Sequence, residues 1–227
     1  MNKWLASVIA VFCFSPFVFA DNWGAGVKLG MGENDPKDLE SLTGPYVHSS
    51  LDKDSSFYGA EAFYEWNLQD EKNAIGVRLG YEVFGDNEYN SGEEVISLPY
   101  EEEWDYDVKE KTYAIPLTVY YKRDNGIKKL NYYAGAGVTF IRSKGSWSDQ
   151  YEKEQYDVVI DKTYDGGSSS KSKVFPHIVL GAEYRFTKLF ALGLEAKYNI
   201  NAKMKKDGAL LSDRSGISAA ITGRFYF

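Results

Sequence analysis

The chain has 227 residues, 33 acids against 26 bases, and a formal net charge of −7. That balance offers no basic face to nucleic acid, and beyond Phe14 no apolar run is long enough for a membrane-spanning helix. Its 21 glycines and 18 tyrosines favour strands, tight turns and interfacial rings over helices.

Lys3, the apolar run 4–14, Ser15-Pro16 and the small-residue ending Val18-Phe19-Ala20 predict a secretory signal peptide over 1–20, with 21–227 left as one domain. The sole cysteine, Cys13, leaves with the leader. An exported chain without disulfides is held by backbone pairing and packing.

From Asp21 onward eight segments alternate with period two: 22–31, 56–68, 74–85, 111–122, 130–142, 174–186, 190–202 and 215–227. One phase is apolar throughout. It holds Trp23, Val27 and Leu29 in the first, Ile75, Val77 and Leu79 in the third, Ile115, Leu117 and Val119 in the fourth, and Ile217, Ile221 and Phe225 in the last. The connections after the second, fourth and sixth segments are short, and those after the first, third and fifth are long. Short turns on one side and long loops on the other predict an all-β fold: an eight-stranded antiparallel up-and-down transmembrane β-barrel with long extracellular loops. A lipocalin-like soluble barrel is the alternative, with the apolar phase turned inward.

The start Trp23-Gly24-Ala25-Gly26, the Gly-x-Gly texture of 133–138 and the ending Gly223-Arg224-Phe225-Tyr226-Phe227 resemble the small outer-membrane barrels of the OmpA/OmpX/Ail type. The resemblance covers the chain from residue 21 onward. It implies the cell outer membrane, a monomer among outer-membrane lipid and lipopolysaccharide, and an assembly signal at Phe225 and Phe227 for the barrel-assembly machinery. With the chain ending at Phe227, no peptidoglycan-binding tail is expected, and no cofactor is expected.

The other phase faces the lumen and carries Lys28, Glu61, Glu65, Arg78, Glu82, Glu183, Arg185, Glu195, Lys197 and Arg224, acids and bases in equal number. An eight-stranded barrel is just wide enough for side chains to fill, so these charges are expected to pair as a plug. A narrow pore for small solutes is the alternative. The excess negative charge falls in the long loops. Glu93, Glu94, Glu101, Glu102, Glu103, Trp104, Asp105, Tyr106 and Asp107 form one acidic, aromatic stretch, and 147–165 forms another, followed by a flexible 166–170. Alternation at 156–160 predicts that strands continue above the membrane as a hairpin. Residues 101–107 are the candidate contacts for a host or cell-surface ligand, so surface recognition or adhesion joins the structural role of an envelope protein. These carboxylates lack the loop spacing of an EF-hand, and no metal site is expected.

A lipid A-modifying enzyme is the remaining class. His48-Ser49-Ser50, with Asp52 or Asp54, resembles the His-x-Ser pair of lipid A deacylases, but it lies in a loop away from acyl chains. His177 points into the lumen as a hydrogen-bonded filler. No catalytic role is assigned, and no zinc, phosphate-loop or redox motif is present.

Overall fold

The computed structural model describes residues 22–33, 54–68, 72–85, 87–97, 100–124, 129–156, 158–206 and 209–227. The signal segment therefore lies outside the described residues. The regular elements are all strands: β1 (Asn22–Glu33), β2 (Asp54–Asn67), β3 (Asn73–Phe84), β4 (Asn87–Ser97), β5 (Tyr100–Asp124), β6 (Leu130–Gln155), β7 (Val158–Arg185), β8 (Phe190–Asn199), β9 (Lys203–Lys206), β10 (Ala209–Asp213) and β11 (Gly216–Tyr226).

Alternating sequence becomes strand because a strand sorts successive side chains onto opposite faces. β1, β2, β3, β5, β6, β7, β8 and β11 pair antiparallel into a closed ring of eight, with β1 against β11 and β3 against β5. Closure removes the unpaired edges that an open sheet would leave. The short connections, the start of β1 and the end of β11 all lie at one end. Pro116, which cannot donate to a ladder, stands where the β3–β5 ladder is interrupted between Leu79↔Leu117 and Glu82↔Ala114, with the register unchanged across the gap.

Burial is inverted relative to a barrel dissolved in water. Ile217, Ile221 and Phe225 are 58, 55 and 49 % exposed, whereas Glu65, Arg78 and Arg224 are 1, 4 and 4 % exposed. An apolar exterior around an ionic interior is the arrangement that suits hydrocarbon outside. The lipocalin-like alternative would reverse the two faces.

β5, β6 and β7 run far beyond the ring, to 25, 26 and 28 residues. β7 parts from β8 above His177↔Asn199, and β4 joins the outer half of β5 from Asn87↔Glu110 to Ser97↔Tyr100. The outer sheet therefore has the order β4-β5-β6-β7 and, among the described residues, two open edges. Tyr156, expected within a strand, has φ 53° and lies in the turn between β6 and β7. Residues 166–170, expected to be flexible, are part of β7 and pair with 144–148 of β6. Their smallness is structural: a Cβ on Gly167 would stand 2.9 Å from Nε1 of Trp147. The connection 203–214 folds as the hairpin β9–β10.

Side chains fill the lumen in three layers. Phe63, Ala191 and Tyr226 close the short-turn end. Phe57, Phe84, Ala114, Ile141 and Phe175 close the other, together with Ala202 and the fully enclosed Met204 from the hairpin region. Ionic groups lie between. Rings reach across the wall only where a neighbouring strand offers glycine: Tyr133 over Gly181 and Tyr120 over Gly76, where a Cβ would meet each ring at 2.2 and 2.3 Å.

Candidate functional site: the ionic lumen and the outer sheet

Inward positions of all eight ring strands converge on one network. Arg224 on β11 donates from Nε to Glu61 (2.7 Å) and from Nη1 to Glu183 (2.9 Å), and its Nη2 lies 3.5 Å from Glu195. Arg78 on β3 donates to the same Glu195 oxygen, Oε2, at 2.5 Å. Lys28 on β1 lies among Glu61, Glu82 and Glu195 at 3.1, 3.4 and 3.3 Å, and Lys197 on β8 holds Glu82 at 2.5 Å. Tyrosine hydroxyls occupy the remaining acceptor positions: Tyr120 on Glu65 (2.7 Å), Tyr133 on Glu195 (3.0 Å) and Tyr226 on Glu183 (2.8 Å). Removing two charges from water costs several kcal/mol per ion, and only dense pairing of this kind offsets it.

Nine of the ten lumenal residues expected from the sequence meet here, though Glu65 does so through a base that the sequence reading omitted. That base is Lys122, which bonds Glu65 and lies 3.2 Å from Glu183. It continues the inward phase of Thr118 and Tyr120 by one step and is the last residue of the predicted segment 111–122, so following that phase to the segment's end would have found it. Arg185 is placed elsewhere. It is half-buried at the short-turn end with its guanidinium 4.0 Å over the Tyr226 ring, no carboxylate near it among the described residues, and Nε unpartnered. Substituting Lys122 for Arg185 keeps five acids and five bases in the network.

His177 lies above this network. Thr118 Oγ1 is 2.9 Å from Nε2 and Thr139 Oγ1 is 2.8 Å from Nδ1, so hydroxyls engage both ring nitrogens. Residues 48–52 lie outside the described residues, as does the side chain of Asp54.

The outer sheet divides the 101–107 stretch between two faces. Glu102, Trp104 and Tyr106 continue the inward phase, while Glu101, Glu103, Asp105 and Asp107 continue the outward one. On the inward face the Trp104 and Tyr151 rings lie 5.2 Å apart, and Lys153 donates to Glu102 at 2.7 Å. That hydrogen bond holds the Lys153 ammonium above the usual lysine range. On the outward face like charges stand directly opposite one another: Glu101↔Glu154 and Glu103↔Glu152. Lys162 lies 2.5 Å from Glu152. Opposed like charges destabilise a sheet, so this row lowers the stability of the element that carries it. The side chains of Glu93, Glu94 and Tyr106 lie outside the described residues. Among the described residues no three His, Cys, Asp or Glu side chains converge as a metal ion would require.

A family model for the outer membrane protein beta-barrel domain matches residues 5–225. The chain belongs to that family. It is accordingly a protein of the cell outer membrane, its short turns on the periplasmic side and its outer sheet outside the cell. Among solved structures it is similar to Ail, the attachment invasion locus protein of Yersinia pestis, at 11 % identity over 90 % of this chain and 97 % of that one, TM-score 0.41. It is also similar to Neisserial surface protein A, at 11 % identity over 90 and 95 % of the two chains, TM-score 0.44. The N-terminal β-barrel domain of Pseudomonas aeruginosa OprF gives 11 % identity over 92 and 99 %, TM-score 0.41. No curated protein matches the chain.

Proposed function

We propose that this outer-membrane barrel is a surface-recognition module, with the β4–β7 sheet as its contact element and a basic partner as its ligand. The observation that carries the reading is the register that sets Glu103 opposite Glu152 and Glu101 opposite Glu154 on one face. A solvated face of no consequence would interleave signs. A row that weakens its own sheet is accounted for by a cationic partner that relieves the repulsion. Two open sheet edges and the Trp104–Tyr151 pair favour an extended partner chain, which could add to an edge and stack on the rings. No catalytic step is assigned.

The test neutralises the row without changing its shape. Cells displaying Glu101→Gln/Glu103→Gln/Asp105→Asn/Asp107→Asn are compared with cells displaying the parent for binding to extracellular-matrix proteins and host cells. Binding is expected to fall by at least tenfold and, in the parent, to weaken as salt rises. Equal binding by both cell types, or binding indifferent to salt, would sink the proposal.

A further inference from the structure

The two open edges of the outer sheet differ in what they carry. On the β7 side, the Pro176 carbonyl accepts from the Ile200 N–H at 3.0 Å, just where β8 leaves off. Backbone groups alternate along a strand, so the even-numbered residues of β7 outward from Pro176 aim both N–H and C=O at the side that β8 has vacated. The regular part of that edge has two limits. At its outer end Ile160 is bulged, with Lys153 facing Asp161 and Glu154 facing Val159. At its inner end Lys173 donates to the carbonyls of Asn201 and Lys203, which brings β9 alongside. Residues 161–171 lie between these limits, and among the described residues no strand pairs with their open side.

This stretch is self-complementary about Gly166. Asp161 precedes that glycine by five residues and Lys171 follows it by five, while Tyr164 and Ser168 stand two away on either side. Asp161 and Lys171 share the inward phase, because their partners on β6 are Lys153 and Ser143. A second strand of the same sequence, antiparallel and centred on Gly166, therefore sets Asp161 opposite Lys171 of the second copy, and Lys171 opposite its Asp161. Tyr164, 71 % exposed, then faces Ser168 of the second copy, whose small side chain leaves room for the ring. The charged residues of the stretch are Asp161, Lys162, Asp165 and Lys171, a sum of zero. The β4 edge, by contrast, carries Glu88, Glu93 and Glu94 and no base. A β4 edge repels a copy of itself, and a β7 edge attracts one.

We propose that the β7 edge is a homophilic contact, pairing antiparallel with the β7 edge of a second copy of this chain in a facing membrane. Copies in one membrane all run β7 toward the periplasm, so their edges are parallel, and only an opposed membrane supplies the antiparallel mate. The even-numbered residues 162–170 exchange about ten backbone hydrogen bonds across the seam, and the two outer sheets become one. Gly166 lies eight residues outward of Val174, which is apolar and 57 % exposed at the edge of the membrane-facing wall. That is about 20 Å along the barrel axis at the usual tilt, so the two hydrocarbon surfaces stand about 40 Å apart. The contact joins like cells. It rests on the outer sheet standing outside the cell, not on a basic partner for the acidic face.

The test folds the full chain into two batches of phosphatidylcholine vesicles bearing different fluorophores and measures how often the two colours travel together. Parent vesicles are expected to tether one another. Asp161→Lys sets base against base at both symmetric places, and Lys171→Asp sets acid against acid, so each variant alone is expected to tether at least tenfold less. Mixing vesicles of one variant with vesicles of the other opposes acid to base again at both places. That mixture is expected to regain parent tethering, which a folding defect cannot mimic. Ser168→Pro removes an edge-facing N–H while sparing the β6 ladder, and is expected to abolish tethering with heat-modifiable migration unchanged. The Glu101→Gln/Glu103→Gln/Asp105→Asn/Asp107→Asn chain is expected to tether as the parent does. Parent vesicles that stay single, or that capture protein-free vesicles equally well, overturn the proposal. So does a mixture that tethers no better than either variant alone, or tethering that vanishes in the neutralised chain, which would move the contact to the acidic face.

Discussion

Arg224 touches three carboxylates carried by three different strands, so its removal is felt around the ring. Truncating one partner of a buried pair leaves uncompensated charge, and Arg224→Ala is expected to cost about 3–5 kcal/mol. Urea titration of the barrel in lipid vesicles, followed by heat-modifiable migration, measures the loss, and an unchanged midpoint would refute the assignment of Arg224 as the hub. A steric counterpart lies at Gly181, where an added methyl would meet the Tyr133 ring. Gly181→Ala is expected to destabilise by about 1–3 kcal/mol through overpacking. Shortening the partner with Tyr133→Leu in the same chain should recover part of that loss, and a double-mutant cycle reads the coupling.

The outer sheet is a separable element. The rows from Thr112↔Ser143 to Asp107↔Ser148 remain paired if residues 149–165 are replaced by a short glycine-serine turn. Such a chain is expected to keep its heat-modifiable migration and thermal midpoint within a few degrees while losing partner binding. Collapse of the ring on this deletion would mean that the outer sheet nucleates the fold. The ring strands were legible in the sequence because burial on one face and lipid on the other impose a strict period of two. The outer elements obey a weaker rule. β4, with Asn90-Ser91-Gly92 at its middle, has no apolar alternation to detect, and its successive residues Val95 and Ile96 are both exposed; Lys203-Met204-Lys205-Lys206 of β9 offers a single apolar residue. The lumen was legible in the same way as the ring, residue by residue along one phase. It failed at strand ends, where Lys122 still points inward and Arg185 instead lies against Tyr226, and at Glu110, a buried inward carboxylate that accepts from Thr112 and Ser143. The pairing of particular acids with particular bases was not legible, because it depends on the register between strands far apart in the chain.

At the scale of the whole molecule, apolar layers at both ends enclose an ionic layer with no net charge. Ions crossing such a core would have to break several buried pairs at once. Planar-bilayer recordings are therefore expected to show no sustained open state of porin-like size, and a reproducible one would overturn the description of the lumen as filled. The continuity of β5, β6 and β7 from the inner turns to the outer tip bears on mechanics as well. A partner tugging on that tip in flowing liquid pulls along the strands, so the load spreads over many rungs in shear instead of peeling them one by one. Single-molecule pulling from Tyr156 should accordingly give one large rupture at high force, and a staircase of small early steps would contradict it.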